Sequence, residues 1–211
     1  MTDPEPVVVP PIPGSEMWDT RYGVAAASAA SVWSLEPNAL VAEVVAAFEP
    51  GTAIDLGCGE GRNALWLAQR GWQVTGVDFS ARGLESGQRR AESLGLEIDW
   101  ELADASAWVS PTLVDLVVIA YLQLDAENLT AAISCSAAAL EPGGRIVLVA
   151  HDVDNISNGV GGPQDPSILT SAVALRAAAT SAELRVERCE QVLRPIGDGH
   201  AIDVVLIARS A

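Results

Sequence analysis

The stretch Ala53–Asn63 reads AIDLGCGEGRN: a short apolar run, an aspartate, then glycines at 57, 59 and 61. Glycine at every second position marks backbone that another group approaches closely. Between an apolar strand pattern and a helical one, such a turn suits a ligand of the nucleotide kind.

Three glycine-turn chemistries compete, and the flanking residues separate them. A phosphate-cradling loop needs lysine and then serine or threonine after its last glycine, but here Gly61 is followed by Arg62 and Asn63. The dinucleotide fingerprint needs a small third residue so that helix and strand can pack closely. Counted from Gly57, that position holds Arg62. What remains is Gly-x-Gly-x-Gly preceded by Asp55, which suits a ligand with an adenosine and no pyrophosphate, and S-adenosylmethionine is such a ligand. The next strand pattern, VTGVDFS, ends in Asp78, where a carboxylate can accept from both ribose hydroxyls. NAD sites use an acid in the same way, so Asp78 alone does not discriminate. A third strand supplies Asp104 in LADAS. It can accept from the exocyclic amine of adenine with the Ala105 N–H facing the ring, or it can cap a helix.

Outward from this turn, strand and helix patterns alternate. A helix is predicted over Glu36–Phe48, a strand over Thr52–Leu56, a helix over Glu60–Arg70 and a strand over Trp72–Val77. Ser80 opens a helix that Gly95 stops. Strands follow over Glu97–Glu101 and Asp115–Ala120, then a helix over Ala126–Leu140 ended by EPGG, and a strand over Arg145–Ala150. This rhythm of apolar strands and helices predicts a parallel sheet covered on both faces. After the loop His151–Pro166 come a helix over Ser167–Ser181 and two strands, Leu184–Val192 and Ala201–Arg209, joined by RPIGDGH. Two strands joined by a turn pair antiparallel, so the sheet is expected to finish with a hairpin.

The chain has 211 residues, 49% hydrophobic and 19% charged, which fits one globular domain. It is expected over residues 16–211, behind a flexible proline-rich tail of residues 1–15. Twelve basic residues stand against 28 acidic ones, a net charge of −16. That balance argues against a nucleic-acid partner, whose phosphates need lysine and arginine, and favours a small-molecule acceptor. No apolar run approaches the roughly 20 residues of a membrane span, so no membrane association is expected. The N-terminus lacks the features of a secretory signal. Cys58, Cys135 and Cys189 are odd in number and far apart, which speaks against a disulfide framework and for a cytoplasmic location. No cluster has metal-ligand spacing, so no metal is expected.

At these residues a family resemblance enters. The chain resembles the class I S-adenosylmethionine-dependent methyltransferases: AIDLGCGEGRN matches their glycine motif, VTGVDFS their ribose acid, LADAS their adenine loop, and LEPGGRIVLVA the entry to their fifth strand. Within them, GCGEGRN followed by LAQRGWQVTGVDFS, with WDTRY and VW ahead, is similar to the tellurite-resistance and thiopurine methyltransferase group. The resemblance implies a Rossmann-like, seven-stranded, mostly parallel sheet with an antiparallel last strand, in a three-layer sandwich. It implies that Gly57, Cys58 and Gly59 pass the methionine part of the cofactor and that Asp55 orients their loop. Asp78 would hold the ribose, Phe79 would lie against the adenine, and Asp104 with Ala105 would read its edge. The Ala120 carbonyl would face the cofactor's ammonium, with Tyr121 at the reacting centre. The segment 18–38 would fold over the cofactor, bringing Trp33 to it and Arg21 to its carboxylate.

Methyl transfer from a sulfonium is an in-line displacement, so the protein mainly holds acceptor and methyl in line. An acceptor of high pKa also needs a base. Of the two histidines, His200 reads as a turn residue. His151 directly follows the fifth strand, at the carboxyl end where open α/β sheets bind ligands. It is the candidate base, with Asp152 as its orienting partner. No Asn/Asp-Pro-Pro-aromatic tetrad and no Pro-Cys pair is present. The remaining acceptors are a small thiol or chalcogen, or a small hydroxyl or carboxyl. The alternatives are a protein side chain as acceptor, or a regulatory S-adenosylmethionine-binding protein without catalysis. The glycine-rich segment NISNGVGGPQDP is long enough to be a mobile flap over the acceptor.

Overall fold

The computed structural model describes residues 12, 14–28 and 30–211, so most of the expected tail lies outside the described residues. Ser15, placed within that tail, is buried, and its N–H donates to the Ile12 carbonyl. The strands are β1 (Thr52–Leu56), β2 (Gln73–Asp78), β3 (Asp99–Leu102), β4 (Val114–Ala120), β5 (Leu140–His151), β6 (Arg185–Ile196) and β7 (Gly199–Arg209). They form one sheet in the order β3-β2-β1-β4-β5-β7-β6. The first five run parallel, and β7 inserts antiparallel between β5 and β6.

Continuous apolar runs become two buried layers because successive strand residues face opposite sides. Ile54 and Leu56, Val117 and Ile119, Ile146 and Leu148, and Val204 and Leu206 face helices α5 (Ala126–Ala138) and α7 (Ala172–Ser181). Ala53, Leu116, Val118, Val147, Val149 and Val205 face helices α2 (Ala39–Val45) and α3 (Arg62–Gln69). Helix α4 (Ala81–Leu94) starts at Ser80, whose hydroxyl accepts from Gly83 N–H, and stops at Gly95 in the left-handed conformation. An N-terminal helix, α1 (Glu16–Ala27), packs on α4. β3 and β6 are the edge strands, and β6 carries Arg185, Glu187, Arg188, Glu190 and Arg194, charges of the kind that protect an open edge from pairing.

Several boundaries differ from expectation for local reasons. Pro37 does not sit in the first turn of α2, because Asn38 is the N-cap and accepts from Leu40 and Val41 N–H. EPGG does not stop the helix ahead of the strand. Leu140 already pairs with Val114, and the next paired residues are Leu116 and Arg145, so EPGG is an outward bulge within β5. RPIGDGH is mostly strand, since pairing continues to Ile196 and Gly199 around a tight turn at Gly197 and Asp198. The expected flap is tied down as well. It contains a short helix, α6 (Asn155–Asn158), and Asn155 is buried, donating to the Gly161 carbonyl and accepting from Ile202 N–H at 2.7 Å. No described helix is long and apolar enough to cross a membrane.

Candidate functional site

The cleft lies at the carboxyl ends of β1, β2 and β4 and is built on the glycine turn. Gly57 N–H and Cys58 N–H both donate to the Val77 carbonyl, at 2.8 and 3.0 Å, which ties the turn to the end of β2. Gly57, Gly59 and Gly61 all have positive φ. A Cβ on Gly57 would meet Leu122 at 2.7 Å, and one on Gly59 would run into the Tyr22 hydroxyl. Asp55 is buried, and one of its oxygens accepts from Ala64 N–H in the first turn of α3. Its other oxygen has no partner, and burial pushes the carboxyl up to about 7.

Asp78 joins the turn to the next strand. One carboxylate oxygen accepts from Gly59 N–H and the other from Ser80 N–H, both at 2.8 Å. The group lines the cleft although it is only 6% exposed. Burial pushes its pKa up to about 6, against the lowering effect of those two bonds.

A strap made of α1 and the segment 30–38 covers the cleft. Glu60, within the glycine turn, is buried and fastens it: one oxygen accepts from the Ser31 hydroxyl at 2.6 Å and from Val32 N–H at 2.8 Å. Asp19 docks α1 beside the site by accepting from the Ser80 hydroxyl at 2.6 Å. Trp18, Tyr22 and Trp33 then stack over the turn and line the cleft. With the strap in this position the free space is about 70 Å³, room for a few water molecules. That is less than the volume of an adenosine derivative.

On the other side of the cleft, Tyr121 follows β4 in the left-handed conformation, at φ 57, which is rare for a bulky residue and marks local strain. Its N–H donates to the Val149 carbonyl, and its hydroxyl donates to Asp203 at 2.7 Å. His151 packs against its ring, tilted by 31° at 4.5 Å between centroids, and sets Nδ1 3.0 Å from the same Asp203. Arg194 Nε donates to Asp203 at 2.7 Å. Burial alone would raise the Asp203 carboxyl, but the bonds from His151, Arg194 and Tyr121 hold it below the usual aspartate range. Burial, followed by the Asp203 charge, pushes the Tyr121 phenol up to about 12.

Three expected placements differ with the strap in this position. Asp152 does not orient His151: neighbours on a strand face opposite sides, and the Asp152 carboxylate turns to Asp154 N–H and the Gln191 amide. Arg21 does not reach the cleft; it is exposed, with its guanidinium 5.2 Å from both the Trp18 and Trp33 rings. Asp104 and Ala105 are not among the lining residues. One Asp104 oxygen accepts from the Ser106 N–H and hydroxyl, which closes a local turn, and Ala105 is buried in the α5 layer. Trp33, Gly57, Cys58, Gly59, Asp78, Phe79, Ala120 and Tyr121 do line the cleft. Sequence reasoning missed Asp203, although an aspartate inside the apolar run AIDVVLIA was a visible signal. It also missed Arg62 and Glu60 as site residues.

The donor set fits an adenosyl sulfonium ligand: positive-φ glycines that leave no room for a Cβ, a buried acid at the end of β2 and aromatic walls. Residues 53–144 match the family model described as a methyltransferase domain. The structure superposes on the crystal structure of TehB from Haemophilus influenzae with a TM-score of 0.70 at 21% identity, covering 83% of this chain and 63% of that one. The fold is that of a class I methyltransferase. Curated proteins similar to this part of the chain include the ubiquinone biosynthesis O-methyltransferase of an Azoarcus species, 30% identical over 95 residues, or 44% of this chain and 41% of the relative. The demethylmenaquinone methyltransferase of Thermus thermophilus is 36% identical over 103 residues, 47% of each chain. The match thus spans less than half the length of either relative. Among the described residues no group of three or more His, Cys, Asp or Glu side chains could hold a metal ion.

Proposed function

We propose that the chain is an S-adenosylmethionine-dependent methyltransferase acting on a small molecule whose nucleophile is a hydroxyl or thiol. The observation that carries the reading is Asp78, a buried carboxylate lining the cleft beside Gly57 and Gly59. Its oxygens each take one backbone N–H, and each keeps acceptor capacity for a ribose hydroxyl. When bound, S-adenosylmethionine supplies an electrophilic methyl on a positively charged sulfur. Phe79 and Trp33 offer faces for the adenine, and the Ala120 carbonyl an acceptor for the ammonium.

The His151–Asp203 contact supports a base on the acceptor side. With Nδ1 donating to Asp203, Nε2 keeps its lone pair and takes the acceptor's proton as the bond to the methyl forms. Asp203 holds the ring in that tautomer and stabilises the imidazolium. GCGEGRN and the leading WDTRY favour kinship with the tellurite-resistance and thiopurine group within the fold. A cytoplasmic location belongs to the same proposal and is supported by three free cysteine thiols.

The test is transfer of label from methyl-labelled S-adenosylmethionine to a panel of small thiols, hydroxy compounds and hydroxy acids. Label in at least one product, lost on His151→Ala, supports the reading. Cofactor binding without transfer to any acceptor would leave a regulatory binding protein in its place.

A further inference from the structure

We propose that Arg62 and Arg194 form an anion clamp for the acceptor, so that the molecule methylated carries a carboxylate or a similar small oxyanion close to its nucleophilic atom. This rests on the methyltransferase reading and adds the substrate class. The Arg62 guanidinium carbon lies 6.0 Å from the centre of the Tyr121 ring, and that of Arg194 lies 5.6 Å from the same centre. Two cations thus lie near one ring, Arg62 lining the cleft with Tyr121 and Arg194 standing behind it on β6, in a chain with 12 basic residues and 28 acidic ones. The Arg194 charge is one of the causes that lower the Arg62 pKa, and an anion beside both would offset that repulsion.

Neither guanidinium is fully neutralised where it stands. Arg62, the first residue of α3, lines the cleft, takes part in none of the ion pairs among the described residues and bonds only the Ser34 hydroxyl, at 3.3 Å. It is half-buried, and its pKa is lowered chiefly by desolvation, so an anion placed against it would favour the charged form. Arg194 commits Nε to Asp203, and its two terminal nitrogens have no bonded partner among the described residues. Both therefore present donors suited to a planar carboxylate.

The arrangement favours the acceptor over the cofactor's own carboxylate. The cofactor cradle is made by β1, β2 and β4, whereas Arg194 comes from β6, two strands beyond β5 in the sheet. The clamp also shares Asp203 with His151, which places the anion next to the proposed base.

The test uses the full chain saturated with S-adenosylhomocysteine, titrated with hydroxy and mercapto carboxylates, each paired with its own amide, such as salicylate with salicylamide and 3-mercaptopropionate with 3-mercaptopropionamide. At least one carboxylate is expected to bind tenfold or more tighter than its amide. That preference should fall about tenfold in Arg62→Met, be partly kept in Arg62→Lys, and fall in Arg194→Lys, which preserves a charge beside Asp203. S-adenosylhomocysteine affinity should stay within about threefold in all three variants. No carboxylate preference in any pair would overturn the clamp, as would a tenfold loss of S-adenosylhomocysteine affinity in Arg62→Met, because the anion would then be the methionine carboxylate. Failure of the wild-type chain to bind S-adenosylhomocysteine at all would overturn the methyltransferase reading itself, and the clamp with it.

Discussion

Asp203 lies with one carboxylate oxygen 3.0 Å from His151 Nδ1, although the two residues are 52 positions apart. The antiparallel register of β5 and β7 pairs them directly and sets both on the α2 and α3 side of the sheet. Around this contact Tyr121 and Arg194 complete a network whose hub is a fully buried carboxylate.

If that contact orients a base, Asp203→Asn should lower kcat by about 10²–10⁴-fold while S-adenosylhomocysteine affinity changes little. His151→Ala should act similarly, and the double variant should cost little more than either alone, as for residues that work as a unit. Steady-state kinetics on the first acceptor identified, with calorimetric binding in parallel, checks this. Additive losses would separate the two residues.

Binding of S-adenosylhomocysteine should depend on pH through Asp78. Its carboxyl titrates near 6, and the ionised form is the better acceptor for ribose hydroxyls. Affinity should therefore rise from pH 5 to pH 7. Asp78→Asn should bind at least tenfold more weakly at pH 7 and lose most of that slope. Calorimetry across the range reads both effects.

Stability should move in the opposite direction. Asp55 titrates near 7 in the folded chain against an ordinary value of 3.8, so the folded state holds a proton that the unfolded state releases. That stabilisation is present below about pH 4 and is lost as the pH rises to about 7. Asp55→Asn should reduce the loss, by on the order of 2 kcal/mol between pH 5 and 7.5, in urea unfolding followed at matched pH values.

The strap should loosen when its fastening is weakened. Glu60→Gln keeps the shape of the side chain but turns two charge-assisted bonds, from Ser31 and Val32, into weaker ones. Amide exchange over residues 30–38 should quicken roughly tenfold, corresponding to about 1.4 kcal/mol, with β4 and β5 unchanged. Because the closed cleft has little free space, S-adenosylhomocysteine should also alter exchange in this segment of the wild-type chain.

Much of the fold was legible because strands buried on both faces appear as unbroken apolar runs, and because Ser80, Gly95 and the glycine turn have local chemistry that needs no tertiary context. The glycine turn and Asp78 were legible for the same reason. The partner of His151 was not, because adjacency in sequence favoured Asp152, whereas strand alternation sends that residue to the opposite face and register brings in Asp203. In the sequence Arg62 speaks only against phosphate-loop and dinucleotide readings, and its place beside Tyr121 depends on the turn of α3 against the end of β4. Arg21 was drawn away from the cleft by the two tryptophan faces that flank it.

The central claim is a site for S-adenosylmethionine at Gly57, Gly59 and Asp78, and isothermal titration of the full chain with S-adenosylhomocysteine and with NAD tests it most directly. Saturable one-to-one binding of S-adenosylhomocysteine, weakened at least tenfold by Asp78→Ala, and no binding of NAD are expected. Binding of NAD without binding of S-adenosylhomocysteine would contradict it.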